Sequence, residues 1–466
     1  IYMPMVPEVA VAMLACARLG AIHSVVFGGF AANELAVRLD EAKPKVVVSA
    51  SCGVEPKHVV KYKPLLDAAI AAATHKPGHC IILQRPMEQA TLVAGRDLEW
   101  SALMAEVRAA GERAECVPVA ATDPLYILYT SGTTGEPKGV LYSNRAMVLH
   151  ALFVIAACTR TFQPGRRILP VVPLFHANAW GLPYCAPIAG CALVFPGPRL
   201  DGASVFKLLD EEQVTASWGV PTVWLGVLDE MRRQGRKPAA LETVLTGGSA
   251  APLPMIEAFE RDFGVDIVHG WGMTELSPVG TVTRLGPAES ILPFDKWLEL
   301  KSRQGRRMFG VEMKIVDADG RPLPHDGTAV GELFVRGPAV VKGYFNNPEA
   351  GAKAIDAEGW FGTGDVARIT PDGFLVIVDR TKDLVKSGGE WISSIDVENI
   401  AIGAPGIANC ALIGVPHPKW SERPLLVAVK APGAEATRQS VIDFLSGRIA
   451  RWQLPDDVVF VEALPM

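Results

Sequence analysis

The chain has 466 residues, of which 49% are hydrophobic and 20% charged, and its formal net charge is −5. These values are those of a globular protein with roughly three domain-sized units, and the charge gives no reason to expect nucleic acid or an anionic membrane surface as a partner. No apolar run reaches the roughly 18 residues that a membrane span requires.

Helices and strands alternate in the N-terminal part of the sequence. Helical apolar spacing covers residues 7–18 and 31–42, and a third helix is predicted at 64–73. β-branched or apolar runs predict strands at residues 24–27, 45–49 and 80–83. Strands that alternate with helices of this length favour right-handed βαβ units. The expected fold class is therefore α/β, with a parallel, doubly wound sheet.

A polar loop follows the apolar run at residues 125–128. It contains Tyr129-Thr130-Ser131-Gly132-Thr133-Thr134-Gly135-Glu136-Pro137-Lys138-Gly139. Glycines let backbone N–H groups approach an anion, hydroxyl groups donate further hydrogen bonds, and Lys138 adds a positive charge. The ordinary P-loop is excluded, because Lys138 lies between Pro137 and Gly139 and the required spacing fails. The loop therefore suits a polyphosphate, and the alternative is a solvated Ser/Thr/Gly turn.

Two glycine-rich strings follow predicted strands in the middle of the chain. The strand at 244–246 leads into Gly247-Gly248-Ser249-Ala250-Ala251-Pro252, and the strand at 266–269 leads into a turn with the string Gly270-Trp271-Gly272-Met273-Thr274-Glu275. A carboxylate such as that of Glu275 can bind a hard cation. As an isolated feature, Glu275 is more commonly a solvated loop acid.

Shorter β-rich segments predict a smaller, barrel-like sheet beyond residue 283. These segments cover residues 312–316, 331–336 and 374–378, and Gly, Pro and Asp turns separate them. Asp365, in the string Trp360-Phe361-Gly362-Thr363-Gly364-Asp365, can accept hydrogen bonds from two ribose hydroxyl groups, although a turn Asp after glycine is the alternative. Short helical and strand segments after the charge cluster at 379–383 predict a separate small domain.

In this order, the strings closely resemble the adenylate-forming (AMP-binding) superfamily, which includes acyl-CoA synthetases, luciferases and peptide-synthetase adenylation domains. The resemblance implies the adenylate-forming enzyme fold, with doubly wound, mostly parallel sheets, a small β-barrel and a small α+β C-terminal domain. It implies a large adenylation domain at residues 1–379 and a small mobile domain at 380–466, with Lys382 at the hinge.

The same resemblance implies roles for individual residues. Thr274 and Glu275 would contact the α-phosphate and Mg²⁺, with Glu275 as the metal ligand, and Asp365 and Arg380 would bind the ribose or a phosphate. Trp271 would stack on adenine, opposite a wall made by Gly248, Ser249 and Ala250. The implied binding residues for ATP are Thr130, Ser131, Gly132, Thr133, Thr134, Gly135, Lys138, Gly248, Ser249, Ala250, His269, Gly270, Trp271, Gly272, Met273, Asp365 and Arg380.

Two parts of the chain resemble two different subfamilies of acyl-CoA synthetases. Residues 3–100 resemble short-chain propionyl- and acetyl-CoA synthetases, in which the segment matching Phe27-Gly28-Gly29 lies near the CoA nucleotide; a tight strand-to-helix turn is the alternative. From Leu141 onward the chain resembles medium- and long-chain fatty acyl-CoA and methylthiopropionate-CoA ligases. A natural mosaic, an assembly error and a designed chimera would all produce such a change of subfamily along the sequence.

Further strings concern the acyl group and coenzyme A. In Pro173-Leu174-Phe175-His176-Ala177-Asn178-Ala179-Trp180-Gly181, His176 is predicted to gate the acyl channel, and a packed core histidine is the alternative. Gly388, Gly389 and Trp391 belong to a string that lines the pantetheine route in fatty acyl-CoA ligases. Acetyl-type enzymes have a tryptophan where this chain has Gly272, which predicts a substrate longer than acetate.

The predicted function is an ATP-dependent, AMP-forming acyl-CoA synthetase for a short- to medium-chain carboxylic acid, with ATP, Mg²⁺ and coenzyme A. An adenylation domain that acylates a carrier protein, or a catalytically impaired nucleotide-binding fragment, is the alternative. The family's C-terminal lysine string would begin at Pro465-Met466, so we expect a chain ending there to adenylate poorly. Eight cysteines without C-x-x-C spacing predict reduced thiols in a cytoplasmic protein. The sequence does not predict the oligomeric state.

Overall fold

The computed structural model describes residues 1–55, 58–130, 138–387, 390–431 and 433–464, with the backbone alone at 390 and 391. The chain divides into two compact units: unit 1 comprises Ile1–Ser302, Met308–Val311 and Arg336–Gly359, and unit 2 comprises Arg303–Arg307, Glu312–Val335 and Trp360–Met466. The domain boundary at 379/380 stays a prediction. No helix in the described ranges is long and apolar enough to cross a membrane.

Unit 1 begins with a parallel sheet of five short strands. The elements of this part are β1 (Tyr2–Met3), α1 (Pro7–Arg18), β2 (Val26–Phe27), α2 (Ala32–Ala42), β3 (Val46–Ala50), β4 (Cys52–Val54), β5 (Val59–Lys61), α3 (Tyr62–Ala72), β6 (His79–Leu83), β7 (Asp97–Glu99) and α4 (Trp100–Ala110). The sheet has the strand order β2-β1-β3-β6-β7, and β4 and β5 form a separate hairpin. Parallel neighbours joined through helices confirm the predicted α/β class.

An antiparallel hairpin carries the predicted phosphate loop. Its strands are β8 (Pro124–Tyr129) and β9 (Gly139–Ser143), and helix α5 (Asn144–Ala157) follows directly. The side chain of Ser143 accepts a hydrogen bond from the backbone N–H of Ala146 over 3.1 Å. This cap satisfies one of the unpaired N–H groups at the start of α5.

A second, larger sheet forms the rest of unit 1. Its elements are β10 (Arg167–Pro170), α6 (Ala177–Trp180), α7 (Leu182–Ala189), β11 (Ala192–Leu193), α8 (Gly202–Glu211), β12 (Ala216–Gly219), α9 (Pro221–Gln234), β13 (Thr243–Thr246), α10 (Leu253–Glu257), β14 (Asp266–Gly272), β15 (Val279–Val282), α11 (Pro287–Ser290), α12 (Phe294–Ser302) and α13 (Pro348–Ala354). In unit 1 the strand order is β11-β10-β12-β13-β14-β15, parallel from β11 to β14 and antiparallel at β15. The carboxyl ends of β12, β13 and β14 therefore meet at one edge, where ligands bind in open α/β sheets.

Unit 2 contains two sheets. The first part has β16 (Arg306–Arg307), β17 (Glu312–Val316), β18 (Gly331–Arg336), β19 (Phe361–Ile369) and β20 (Leu375–Arg380), and β17-β18-β19-β20 form a four-stranded sheet where the barrel-like sheet was expected. The second part has β21 (Val385–Ser387), β22 (Glu390–Ile392), α14 (Ser394–Ala401), β23 (Ile407–His417), β24 (Ser421–Lys430), α15 (Arg438–Leu445) and β25 (Asp457–Val461). Its strand order is β22-β21-β24-β23, with β25 parallel to β24.

Two histidines of unit 1 are buried as neutral imidazoles. Nε2 of His150 accepts a hydrogen bond from the backbone N–H of Val279 over 3.0 Å, and Nε2 of His23 lies 2.8 Å from Oη of Tyr184. Burial lowers the pKa of each histidine from 6.5 to about 3. Protonation of either ring would place a charge in the buried interior, where it is poorly solvated.

We expect the free energy of unfolding to fall as the pH decreases from about 6.5 toward 4, because the unfolded chain then binds protons that the folded chain excludes. Each of the two histidines contributes a slope of about 1.4 kcal/mol per pH unit. His150→Gln keeps an acceptor for Val279 without titrating, so urea unfolding across this pH range should show a shallower dependence. The exposed His79→Gln is the matched control, and an unchanged slope in His150→Gln would contradict the prediction.

Candidate functional site

Thr130 and Lys138 close the base of the predicted phosphate loop. The backbone N–H of Thr130 donates to the carbonyl oxygen of Lys138 over 3.0 Å, and the N–H of Lys138 donates to Oγ1 of Thr130 over 3.3 Å. The hairpin therefore fixes both ends of the loop. The predicted ligands between them lie outside the described residues, and their role stays a prediction: Ser131, Gly132, Thr133, Thr134 and Gly135.

A short turn after β14 holds Thr274 and Glu275. Oη of Tyr142 donates to the carbonyl oxygen of Thr274, and Oη of Tyr344 donates to Oε1 of Glu275 over 2.8 Å. The N–H of Val341 donates to the carbonyl oxygen of Glu275 over 2.9 Å. Glu275 is only 6% exposed, so these bonds orient a carboxylate that is almost enclosed by protein.

Glu275 is suited to be the protein's carboxylate ligand for a Mg²⁺ ion whose other ligands are mainly phosphate oxygens. Protein sites commonly bind Mg²⁺ through one or two carboxylates, substrate phosphates and water. In the ranges that the structure describes, no group of three or more His, Cys, Asp or Glu side chains could hold a metal ion. A hydrogen bond from a neighbouring hydroxyl, such as that of Tyr344, is also typical of carboxylates that bind metals.

The residues predicted to surround adenine follow two neighbouring strands. Thr246 at the end of β13 pairs with His269 in β14, so the segment with Gly248, Ser249 and Ala250 begins beside Gly270. Burial lowers the pKa of His269 to about 4, although hydrogen bonds with the backbones of Ser302 and Ser249 act in the opposite direction. A neutral His269 therefore links β14 to the Ser249 segment. Its binding role, like that of Met273, stays a prediction.

Trp271 and Gly272 lie in a strand, and the prediction that they form a turn is wrong. β14 continues to Gly272, and Trp271 pairs with Thr281 of the antiparallel β15. A Cβ atom at Gly272 would lie 2.1 Å from the carbonyl oxygen of Pro278. Glycine is required here because another backbone segment approaches closely, a reason that is independent of acyl length.

Replacing Gly272 with alanine is expected to destabilise the protein by about 1–3 kcal/mol, because the new methyl group forces the backbone near Pro278 to move. Without such a clash, alanine in place of a strand glycine would stabilise by roughly 0.5–1 kcal/mol. The sign of the change in urea unfolding therefore tests the close approach. Gly197→Ala, where nothing lies within 4 Å of the added Cβ, is the control. A neutral or stabilising Gly272→Ala would contradict the prediction.

His176 lies at the start of a segment with unusual backbone geometry. Ala177, Asn178, Ala179 and Trp180 have φ between 42° and 56°, the left-handed region that non-glycine residues rarely adopt. Burial lowers the pKa of His176. Strained backbone of this kind clusters at binding sites.

The ring of Phe175 connects two predicted regions of unit 1. It stacks on the ring of His176, with centroids 5.5 Å apart, and its centroid lies 4.7 Å from that of Phe27. The structure thus brings the predicted acyl gate beside the segment that the family resemblance places near the CoA nucleotide. Neither role is tested by this contact, and both stay predictions.

Asp365 and Arg380 are paired within unit 2. They lie opposite each other on β19 and β20, and Nε of Arg380 is 3.6 Å from Oδ1 of Asp365. The side chain of Asp365 is 9% exposed and that of Arg380 is 50% exposed. A buried carboxylate beside a half-exposed guanidinium suits a ligand with hydroxyl groups and negative charge. Gly388 and Gly389 lie outside the described residues, as does the side chain of Trp391.

No role was predicted from the sequence for Asp379 or for the two tyrosines Tyr142 and Tyr344. Asp379 is 1% exposed, and its carboxylate accepts bonds from the backbone N–H groups of Arg380 and Ser394. It thereby joins β20 to the start of α14. Burial raises the pKa of Asp379, although these bonds lower it. Each of the three has a partner at least 15 residues away in the sequence, namely Ser394, Thr274 and Glu275, and no local pattern marks such pairs.

Known proteins are similar to this chain in sequence and in fold. Residues 1–345 match the family model described as AMP-binding enzyme, and residues 396–466 match that of the AMP-binding enzyme C-terminal domain. Over 340 residues the chain is 49% identical to the 3-methylmercaptopropionyl-CoA ligase of Ruegeria lacuscaerulensis, covering 73% of this chain and 62% of that protein. The chain thus spans less than two thirds of this relative's length.

Two further similarities extend over all or nearly all of the chain. The chain is 31% identical over 498 aligned positions to acyl-CoA synthetase short-chain family member 3, mitochondrial, of Rattus norvegicus, covering 100% of this chain and 69% of that one. The crystal structure of ATP-bound MatB from Rhodopseudomonas palustris superposes with a TM-score of 0.80 at 25% identity, covering 98% of this chain and 83% of that one.

Proposed function

The chain belongs to the AMP-binding enzyme family, and we propose that the protein is an AMP-forming acyl-CoA synthetase. It activates a short- to medium-chain carboxylic acid with ATP and then transfers the acyl group to coenzyme A. One observation carries the proposal: Lys138 at the end of the phosphate loop and the almost enclosed carboxylate of Glu275 both contact Tyr344. The Tyr344 side chain thus contacts both the ammonium group proposed to bind phosphate and the carboxylate proposed to bind the metal ion.

The reaction explains why these groups are needed. A carboxylate oxygen of the acid attacks the α-phosphorus of ATP, the bond to pyrophosphate breaks, and an acyl-adenylate forms. The sulfur of coenzyme A then attacks the acyl carbon and AMP leaves, while the thiol proton passes to solvent. Bound Mg²⁺ supplies charge neutralisation and orientation of the phosphates.

In this proposal the chain's own groups hold the nucleotide. Lys138 and Thr274 bind phosphate oxygens, and Glu275 is the protein ligand of Mg²⁺. Trp271 packs against adenine, and Asp365 accepts bonds from the ribose hydroxyl groups. The protein contributes little covalent chemistry to in-line phosphoryl reactions. Much of the rate enhancement therefore comes from rigid placement of the reacting groups.

Three features support the proposed acyl substrate and cellular location. His176 lies beside the strained segment and, in this proposal, borders the acyl group. The similarity to a 3-methylmercaptopropionyl-CoA ligase supports a substituted short chain or a medium chain as the substrate. All eight cysteines are free thiols, five of them buried, which supports the proposed cytoplasmic location.

The test is an AMP-release assay with ATP, Mg²⁺, coenzyme A and a panel of carboxylic acids from acetate to octanoate. We expect AMP and acyl-CoA in equal amounts, with acids longer than acetate preferred. Transfer of preformed acyl-adenylate to coenzyme A is measured separately, so that the two half-reactions are distinguished. Failure of both half-reactions with every acid, in protein that remains folded, would refute the proposal.

A further inference from the structure

Tyr344 contacts two groups that the proposed function assigns to ATP and its metal. Nζ of Lys138 lies 5.1 Å from the centroid of the Tyr344 ring, within the roughly 6 Å range of a cation–π contact. The hydroxyl group of the same side chain donates to Oε1 of Glu275 over 2.8 Å. One residue therefore touches the lysine that ends the phosphate loop and the carboxylate proposed for Mg²⁺.

The backbone around Tyr344 is bonded to the same two elements. Tyr344 forms an antiparallel bridge with β9, and the N–H of Phe345 donates to the carbonyl oxygen of Gly139 over 2.7 Å. On the other side, the N–H of Val341 donates to the carbonyl oxygen of Glu275 over 2.9 Å. The segment 341–345 thus connects the strand after the phosphate loop to the Glu275 turn. The position of the Tyr344 ring is fixed relative to both.

We propose that Tyr344 is a positioning residue that orients the Glu275 carboxylate toward Mg²⁺ and the Lys138 ammonium toward the ATP phosphates. This inference rests on the proposed function and adds a residue to its site. A carboxylate that accepts a bond from a fixed hydroxyl loses rotational freedom, and such partners commonly contribute about 10–100-fold to metal affinity. A lysine ammonium is a point charge on a flexible stem, so a ring beneath it restricts where it can lie.

The two contacts can be separated by two substitutions. Tyr344→Phe removes the hydroxyl donated to Glu275 and keeps the ring under Lys138, whereas Tyr344→Leu removes both. The measurement is equilibrium dialysis with labelled ATP, without carboxylic acid or coenzyme A, once in EDTA and once with saturating Mg²⁺. The ratio of the two dissociation constants gives the gain in ATP affinity that depends on the metal.

We expect Tyr344→Phe to reduce the Mg²⁺-dependent gain by about tenfold or more, and to leave ATP affinity in EDTA unchanged. Tyr344→Leu should also weaken ATP binding in EDTA, because Lys138 loses its ring contact. Tyr2→Phe is the matched control: it removes a tyrosine hydroxyl that donates to the carbonyl oxygen of Phe30 over 3.1 Å and should behave as wild type. Melting curves show that each variant is folded.

Three results would overturn the inference in different ways. If Tyr344→Phe keeps the full Mg²⁺-dependent gain, Tyr344 does not position Glu275, although wild-type binding still supports the proposed function. If Tyr344→Leu binds ATP in EDTA as tightly as wild type, the role toward Lys138 is wrong. If the wild-type protein itself gains no affinity from Mg²⁺, both the inference and the proposed role of Glu275 fail.

Discussion

Replacing Glu275 with glutamine is expected to reduce kcat/KM for acyl-CoA formation by about 10²–10³-fold, the range found when one preorganised electrostatic group is lost from an active site. Glutamine has nearly the same shape and keeps an oxygen that can accept the hydrogen bond from Tyr344. The change therefore removes the negative charge and leaves the packing around this 6% exposed residue intact. So large a loss of kcat/KM is expected only if the role of Glu275 depends on its negative charge.

The Mg²⁺ concentration for half-maximal rate should rise in Glu275→Gln, because the protein's own ligand for the metal is weakened. The control is Glu211→Gln on α8, whose carboxylate is 63% exposed and forms a surface ion pair with Lys207 at 3.7 Å. Such exposed pairs contribute little, so this variant should match the wild type. Full activity of Glu275→Gln at low Mg²⁺ would exclude Glu275 as the metal ligand.

Replacing Asp365 with asparagine is expected to raise the KM for ATP by about tenfold to a hundredfold. A hydrogen bond to a charged acceptor contributes about 1.5–3 kcal/mol, and each 1.4 kcal/mol is a factor of ten in affinity. The lost ion pair with Arg380 adds little, because that guanidinium is half-exposed. The expected effect therefore comes from the ribose hydroxyl groups.

Nucleotide analogues identify the lost contact. The wild-type protein should prefer ATP over 2′-deoxy-ATP, and Asp365→Asn should discriminate less between them. Asp319→Asn is the control within unit 2, since its carboxylate is 65% exposed and pairs with Arg321 on the surface. If Asp365→Asn discriminates as strongly as wild type, Asp365 does not bind the ribose.

Local patterns predicted much of the fold. The helix predicted at 7–18 is α1, and the predicted strands at 312–316 and 331–336 are β17 and β18. The parallel sheets are confirmed, as is the family resemblance. These features depend on apolar spacing and on short strings, which are properties of neighbouring residues.

Predictions failed where a distant segment changed the local structure. The strand predicted to end at His269 continues to Gly272 because β15 pairs with it. Glycine spacing suggests a turn, but in this strand glycine accommodates the backbone of Pro278, which sequence spacing does not show.

By itself, the sequence determined the α/β class, the family, and the types of residue available for phosphate, metal and ribose. Only the tertiary structure decided how Glu275 is held, because Tyr344 lies 69 residues further along the chain and its hydroxyl finds the carboxylate only after the chain folds. The same holds for Asp379 and Ser394, which join β20 to α14. Hydrogen bonds between distant segments leave no periodic pattern in a sequence, whereas helix faces and glycine-rich loops do.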